Sequence, residues 1–331
     1  MRVDDLHVHF PLTRGTLFKH TVGQVKAVDG VSFEIMRGET FGLVGESGCG
    51  KTTVARTLLN LVKPTHGTVT FDGNNVHRLD AAGERGFRRR VQSVFQDPFS
   101  SLNPRMRVRD IIGEPLVIHL AARGAAIDAR VYELLDICGL PASFAERFPH
   151  EMSGGQRQRV GIARALALEP ELVVCDEAVS ALDVSIQAQI INLLAQLQRE
   201  FGLTYLFIGH DLSVVRHLCD RVGVMYLGRV VEKAASDALF AQPLHPYTRA
   251  LIEAVPVPDP KAERSRPHNA LAGEVPSPLS PPDGCVFHPR CPIAVDDCAI
   301  TVPQLSTLGQ GRKVACPRAD GAFAAGSDES T

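Results

Sequence analysis

Eight residues in the first sixth of the chain have the types and spacing of a phosphate cradle. Gly45-Glu46-Ser47-Gly48-Cys49-Gly50-Lys51-Thr52 follows G-x-x-x-x-G-K-[ST] without a mismatch. Its glycines let backbone N–H groups converge on phosphate oxygens without Cβ clashes. The apolar run before it reads as a strand. A helix-forming stretch from Thr53 to Leu61 follows, so a helix N-terminus adds its dipole. Lys51 supplies a point charge toward the β- and γ-phosphates, and the Thr52 hydroxyl suits Mg²⁺. Further on, four apolar residues, Leu172 to Cys175, end in Asp176-Glu177. An Asp at the carboxyl end of a buried strand is where a phosphoryl-transfer site holds Mg²⁺. The neighbouring Glu177 could polarise a water for in-line attack. Together the two segments predict an ATP-binding, ATP-hydrolysing site.

A third segment narrows the class. Met152-Ser153-Gly154-Gly155-Gln156-Arg157-Gln158-Arg159 lies about 20 residues before the acidic strand and leads into a helix, offering a second phosphate-facing helix N-terminus. It resembles the signature motif of ATP-binding cassette (ABC) proteins. The resemblance implies that Ser153, Gly154, Gly155 and Gln156 close over the γ-phosphate held by an opposite subunit, so that the chain works as a dimer. Gln96, in Val94-Phe95-Gln96-Asp97-Pro98, resembles the glutamine that contacts Mg²⁺ and the attacking water. Ser180-Ala181-Leu182-Asp183 resembles the loop that crosses the dimer interface, and His210 the switch histidine that contacts the γ-phosphate. On this likeness Glu177, His210 and Gln96 are the catalytic set, and Thr52 and Gln96 face the metal. The cradle residues with Thr53, Asp176 and Asp183 complete the nucleotide site.

Some positions depart from the family pattern. Met152 stands where Leu is usual, a volume-conserving change. Ala178 replaces a common Pro and Gly209 a common Ser, each loosening backbone beside a catalytic position. The aromatic residue expected to stack on adenine is either Phe10 or Phe18, because the segment from Pro11 to Gln24 reads as an insertion.

These residues need a scaffold, and the surrounding pattern supplies one. Residues Ala27 to Ile35 and Thr40 to Val44 read as strands. Leu172 to Cys175 and Leu203 to Ile208 are short, apolar and unbroken, as parallel strands covered on both faces should be. From Val184 to Phe201, Ile186, Ile190, Leu193, Leu194 and Leu197 fall on one helical stripe. Such alternation predicts an α/β fold. The ABC resemblance implies a RecA-like core with an antiparallel β subdomain and a helical subdomain at about 97–160. No internal repeat is visible. The run from Glu84 to Arg90 reads as a solvated face rather than a nucleic-acid patch, since aromatic interleaving is poor.

Composition separates the last quarter of the chain. Twelve of the 22 prolines and four of the eight cysteines (Cys285, Cys291, Cys298, Cys316) lie between Pro256 and Pro317. We expect an ATPase domain over 1–255 and a small Pro/Cys-rich domain over 256–331, with the boundary in the extended run that begins at Pro256. Gly228 to Glu232, Leu244 to Leu251, Gly273 to Pro278 and Gly284 to Pro292 resemble the ATPase subunits of bacterial dipeptide/oligopeptide and nickel importers. That likeness implies a second, different ATPase subunit, two transmembrane permease subunits and an extracytoplasmic solute-binding protein as partners. The four tail cysteines have gaps of five, six and seventeen residues, without the tight C-x₂₋₄-C pair of structural zinc. They suit a [4Fe–4S] cluster, which needs four thiolates and tolerates varied loops. Zinc and unligated thiols stay as alternatives. Cys49, Cys138, Cys175 and Cys219 are scattered and read as small apolar residues.

The 331 residues carry a net charge of −2, with 44% hydrophobic and 22% charged residues. That balance argues against a disordered acidic coil and against a basic nucleic-acid coat. No apolar run approaches the ~20 residues that span a bilayer, and the acidic start does not read as a signal peptide. The expected place is therefore the cytoplasmic face of the membrane, peripherally attached. A soluble ABC ATPase of translation or repair, and a regulatory module that senses iron or redox state, are the rival readings. Nickel or another small solute is the rival cargo.

Overall fold

The computed structural model describes residues 1–14, 20–95, 97, 101–120, 122–180, 182–255, 273–309 and 311–319. Its strands in chain order are β1 (Arg2–Arg14), β2 (His20–Glu34), β3 (Thr40–Val44), β4 (His66–Phe71), β5 (Asn74–Asn75) and β6 (Val91–Val94), then β7 (Leu172–Asp176), β8 (Thr204–Gly209), β9 (Arg221–Tyr226), β10 (Arg229–Ala235), β11 (Ser306–Thr307) and β12 (Lys313–Val314). The helices are α1 (Lys51–Leu58), α2 (Ala81–Arg90), α3 (Val108–Leu120), α4 (Ala125–Ile137), α5 (Gly154–Leu166), α6 (Val184–Phe201), α7 (Leu212–Leu218), α8 (Ser236–Ala241) and α9 (Pro246–Glu253).

The strands form two sheets, ordered β2-β1-β4-β5 and β11-β12-β10-β9-β3-β8-β7-β6. In the larger sheet β9, β3, β8, β7 and β6 run parallel, and β10, β12 and β11 extend it antiparallel. Alternate residues of the parallel strands go to different cores. Val173, Cys175, Tyr205 and Phe207 pack with the helices α3 to α7. Leu172, Val174, Leu206 and Ile208 pack with α1 and the smaller sheet. Both faces are covered, which is why these strands read as unbroken apolar runs. Among the described residues no helix is long and apolar enough to cross a membrane.

Sequence and structure agree closely over β3 and α6, whose bounds match the expected ones. The helix after the cradle starts two residues early, at Lys51. It stops at Leu58, because Asn60 takes a left-handed φ of 58°. Strands β1 and β2 extend into the stretch from Pro11 to Gln24 that reads as an insertion, and pair there as far as Arg14↔His20. Helix α2 carries the basic run. Its Arg90 ion-pairs with Asp72 at 2.8 Å and with Glu171, while Phe87 is buried.

The tail joins the larger sheet. Strand β12 pairs with β10 through Glu232↔Val314 and Lys233↔Lys313, and Ala315 N–H donates to the Val231 carbonyl at 2.8 Å. Beneath it, Tyr226, Tyr247 and Phe287 form an aromatic cluster, with ring centroids 4.6 Å apart for the two tyrosines and 5.2 and 5.4 Å from each to Phe287. The expected boundary at Pro256 lies outside the described residues.

Candidate active site

The chemistry-bearing residues collect at the carboxyl ends of β3, β8 and β7, neighbours in the parallel sheet. That edge is where open α/β sheets bind ligands. The cradle follows β3. Gly45 sits at φ 152° and Gly50 at φ 109°, and a Cβ on either would run into backbone oxygen, of Met225 or Ala27 respectively. Only glycine lets the loop pass so close to its neighbours. Lys51 is 4% exposed. Its ammonium folds back on the loop, donating to the Gly45 carbonyl at 2.8 Å and the Glu46 carbonyl at 3.0 Å. Ser47 and Gly48 form the exposed crest of the loop, and Thr53 lies one residue into α1 beyond Thr52.

Thr52 reaches across to β7, its hydroxyl donating to Asp176 Oδ1 at 3.3 Å. Burial lifts the Asp176 pKa above the ordinary carboxylate range; the Thr52 hydrogen bond opposes the lift, and the nearby Glu177 charge adds to it. A carboxylate so disfavoured in its charged form is poised to gain from a cation. Glu177 takes a left-handed φ of 49°, and its N–H is tied to the Ile208 carbonyl of β8 at 2.9 Å. This non-glycine positive φ is the kind of local cost that clusters at functional sites. His210, directly after β8, has Nδ1 3.9 Å from Glu177 Oε1. The structure therefore brings together Lys51, Thr52, Asp176, Glu177 and His210. Gln96 and Ala181 lie outside the described residues.

The signature segment stands apart from this edge. Ser153 caps α5: its hydroxyl accepts from Gln156 N–H at 3.4 Å, and Gln156 Oε1 accepts from Ser153 N–H at 2.9 Å, a reciprocal capping box. A Cβ on Gly155 would strike Ile186 of α6, so α5 approaches α6 at its first turn. Asp183 is the N-cap of α6 but makes no side-chain cap bond. Among the described residues no hydrogen bond joins Ser153, Gly154, Gly155 or Gln156 to the chain's own cradle. Phe10 lies on β1, 41% exposed; the other adenine-stacking candidate, Phe18, lies outside the described residues.

A family pattern for ABC transporters matches residues 28–180, spanning the cradle, the signature and the Asp176-Glu177 pair, and one for the C-terminal region of oligopeptide/dipeptide transporters matches 231–298. The oligopeptide transport ATP-binding protein AppF of Bacillus subtilis is 53% identical over 317 residues, 96% of this chain and 96% of its own. The chain belongs to the ABC transporter ATPases. Among solved structures, the ATP-binding cassette MJ0796, a dimer in a post-hydrolysis state bound to ADP and phosphate, is similar at 30% identity and a TM-score of 0.62, over 71% of this chain and 98% of its own. CbiO1 of Clostridium perfringens, part of an ABC transporter complex, matches at 28% identity and a TM-score of 0.63, over 73% of this chain and 90% of its own. These cassettes leave more than a quarter of the present chain unmatched.

Sequence reasoning missed what the ABC ATPase places behind its cradle. The Glu46 carboxylate is held by Arg290 of the tail, and Glu46 N–H donates to the Tyr247 hydroxyl at 2.9 Å. No spacing rule links residues 244 positions apart. The HPY and HPR triplets at 245 and 288 were visible, but as family marks without a contact. Sequence reasoning also passed over His7, His9 and Asp29, whose ligand atoms lie within 4.8 Å of one another, the one such trio among the described residues. Asp29 Oδ1 lies 3.1 Å from His7 Nδ1 and 3.2 Å from His9 Nε2, while Oδ2 is bound by Arg229 at 2.7 Å. The Arg229 bond ties the β1–β2 hairpin to β10.

The tail thiols differ from the other four. Cys49, Cys138, Cys175 and Cys219 are buried, and burial pushes the Cys138 and Cys175 thiols up to about 12. They are the small apolar residues expected. Cys285, Cys291, Cys298 and Cys316 are only partly buried. Burial raises Cys285, Cys316 and, to about 11, Cys291, and the charge of other tail thiols adds to each rise. Nearby backbone N–H groups, of Phe287 and His288 at Cys285, Ile293 at Cys291, and Arg318 and Ala319 at Cys316, oppose the rise. Those N–H dipoles offset part of the burial cost of the thiolate, the form in which cysteine ligates a metal.

Proposed function

We propose that this chain is the ATP-hydrolysing subunit of a bacterial peptide importer, binding ATP between itself and a second ATPase subunit. The supporting observation is the assembly of Thr52, Asp176, Glu177 and His210 around one sheet edge, behind an intact cradle, in a chain that matches an oligopeptide transport ATP-binding protein end to end. In this reading Lys51 and the loop amides bind the phosphates. The Thr52 hydroxyl, the Asp176 carboxylate and Gln96 would hold Mg²⁺, which when bound neutralises charge on the transferred group. Glu177 accepts a proton from the attacking water, and His210 steadies the γ-phosphate. The helix end at Ser153, Gly154, Gly155 and Gln156, with Asp183 beside it at the start of α6, completes the site of the partner subunit. Closure and reopening of the pair shift the membrane subunits through the higher ATP affinity of the closed state.

The partner ATPase is a different chain, two permease subunits span the membrane, and a solute-binding protein delivers peptide from outside. The subunit sits peripherally on the cytoplasmic face. The tail thiols carry a [4Fe–4S] cluster, favoured over a lone zinc because their spacing lacks the tight C-x₂₋₄-C pair. Its role is structural or regulatory, with none in hydrolysis, since the tail is rich in proline and short of core residues that a cluster would staple.

The reading is tested by Glu177→Gln in the assembled importer. ATP binding should persist while hydrolysis falls by about 10²–10⁴-fold, the scale of a lost general base, and peptide uptake should stop with it. Unchanged turnover would refute the role. Iron and sulfide analysis of anaerobically purified protein, with absorbance near 400 nm, tests the cluster; their absence removes it.

A further inference from the structure

We propose that Arg290 of the C-terminal tail is a positioning residue for ATP binding, acting through Glu46 of the phosphate cradle. The inference rests on the ATPase reading above and adds a residue to it. All three polar groups of Glu46 are held. Its carboxylate takes a two-point fork from Arg290, with Nη1 to Oε2 at 2.8 Å and Nη2 to Oε1 at 3.1 Å. Its N–H donates to the Tyr247 hydroxyl at 2.9 Å, and its carbonyl accepts from the Lys51 ammonium at 3.0 Å. A bidentate guanidinium–carboxylate pair fixes orientation as well as distance. The second residue of the cradle is thus clamped by the tail and by α9.

Arg290 itself is well placed to act as a fixed point. It is 8% exposed, lies 5.8 Å from the Tyr226 ring centroid and donates to the Tyr226 hydroxyl at 3.4 Å. It closes a short helical turn, His288–Arg290, between Cys285 and Cys291. Phe287, at the start of that turn, is 1% exposed in the aromatic cluster. The Glu46 carbonyl and the adjacent Gly45 carbonyl are the two oxygens on which Lys51 rests. Where Glu46 sits therefore sets where the phosphate-binding lysine starts, and Arg290 sets where Glu46 sits. Removing one partner of so enclosed a pair leaves the other charge uncompensated and the loop free to shift. The consequence falls on nucleotide affinity, because Arg290 contacts no reacting atom.

The experiment measures ATP affinity by calorimetry, together with melting temperature, on the full chain carrying Glu177→Gln to prevent turnover. In that background Arg290→Ala and Glu46→Gln should each weaken ATP binding by about 5–30-fold, the scale of coupling between sites. The double variant should bind no more weakly than the worse single one, since both remove the same contact. Arg290→Lys, which keeps the charge and loses the fork, should fall between the wild type and Arg290→Ala. Affinity within twofold of the parent in Glu46→Gln, or losses that simply add in the double variant, would overturn the proposal. If Arg290→Ala melts too low to assay, Glu46→Gln and Arg290→Lys decide. Failure of the parent protein to bind ATP would count instead against the ATPase reading itself.

Discussion

At the carboxyl edge of the parallel sheet, each polar group directly follows or ends a strand: the cradle after β3, Asp176 and Glu177 at β7, His210 after β8. Those strands are buried on both faces, so the edge is held by apolar packing that involves none of the reactive groups. The tail is built the other way. It has two two-residue strands, short turns and a handful of anchors: Phe287 among the tyrosines, Arg290 on Glu46, and Arg312 3.6 Å from the buried Glu232. Position and stability are separable at the edge and inseparable in the tail. Substitutions at the edge should change hydrolysis with little change in folding, as Glu177→Gln tests. Substitutions in the tail should move both.

The largest effect expected in the tail is from Phe287→Ala. Truncating a fully buried phenylalanine costs about 3–5 kcal/mol, and here it removes ring contacts to Tyr226, Tyr247 and His245 at once. Urea unfolding of the full chain should show that loss, with limited proteolysis cutting the tail first. A change below about 1 kcal/mol would mean that the aromatic cluster does not anchor the tail, and the contrast with the edge would fail.

A smaller, pH-dependent effect comes from His245. Complete burial holds its imidazole neutral and pushes the pKa down from 6.5 to about 3. A depressed histidine favours the native state above its unfolded value of 6.5, and that advantage drains away as pH falls toward about 3. The slope is at most about 1.4 kcal/mol per pH unit for one proton. His245 Nδ1 accepts from Tyr247 N–H at 3.1 Å, an acceptor that asparagine can supply without titrating. Melting of His245→Asn should therefore fall less steeply than the parent between pH 6.5 and 4.5. Parallel curves would show that acid sensitivity arises elsewhere, with carboxylates at the edge the next place to look.

The same contrast explains what could be read in advance. A cradle is eight contiguous residues whose chemistry depends on backbone geometry, and α6 declares itself by an apolar stripe, so both were legible from local order. The outward extension of β1 and β2 left less trace, because the outer residues Pro11, Leu12 and Thr13 are exposed and have no buried face to impose alternation. The clamp at Glu46 was invisible for a different reason. Glutamate at a variable position of the motif looks solvent-facing, and its partner is a tail arginine 244 residues further on. Contacts fixed by tertiary closure leave no periodic trace.

The smallest effect bears on the helix end that belongs to neither region. Ser153 begins α5 with a reciprocal capping box, and Ser153→Ala should cost about 1 kcal/mol of stability, the usual value of a lost cap. Stability alone cannot tell a cap from a phosphate ligand, because the hydroxyl serves either. Ser153→Asp separates them: aspartate caps as well as serine and favours the positive helix end, yet puts a negative charge where the γ-phosphate of a partner-held ATP would approach. Melting of Ser153→Asp should match the parent while hydrolysis by the assembled importer falls well below that of Ser153→Ala. Equal hydrolysis in the two variants would confine Ser153 to capping and leave the neighbouring glycine amides to meet the phosphate.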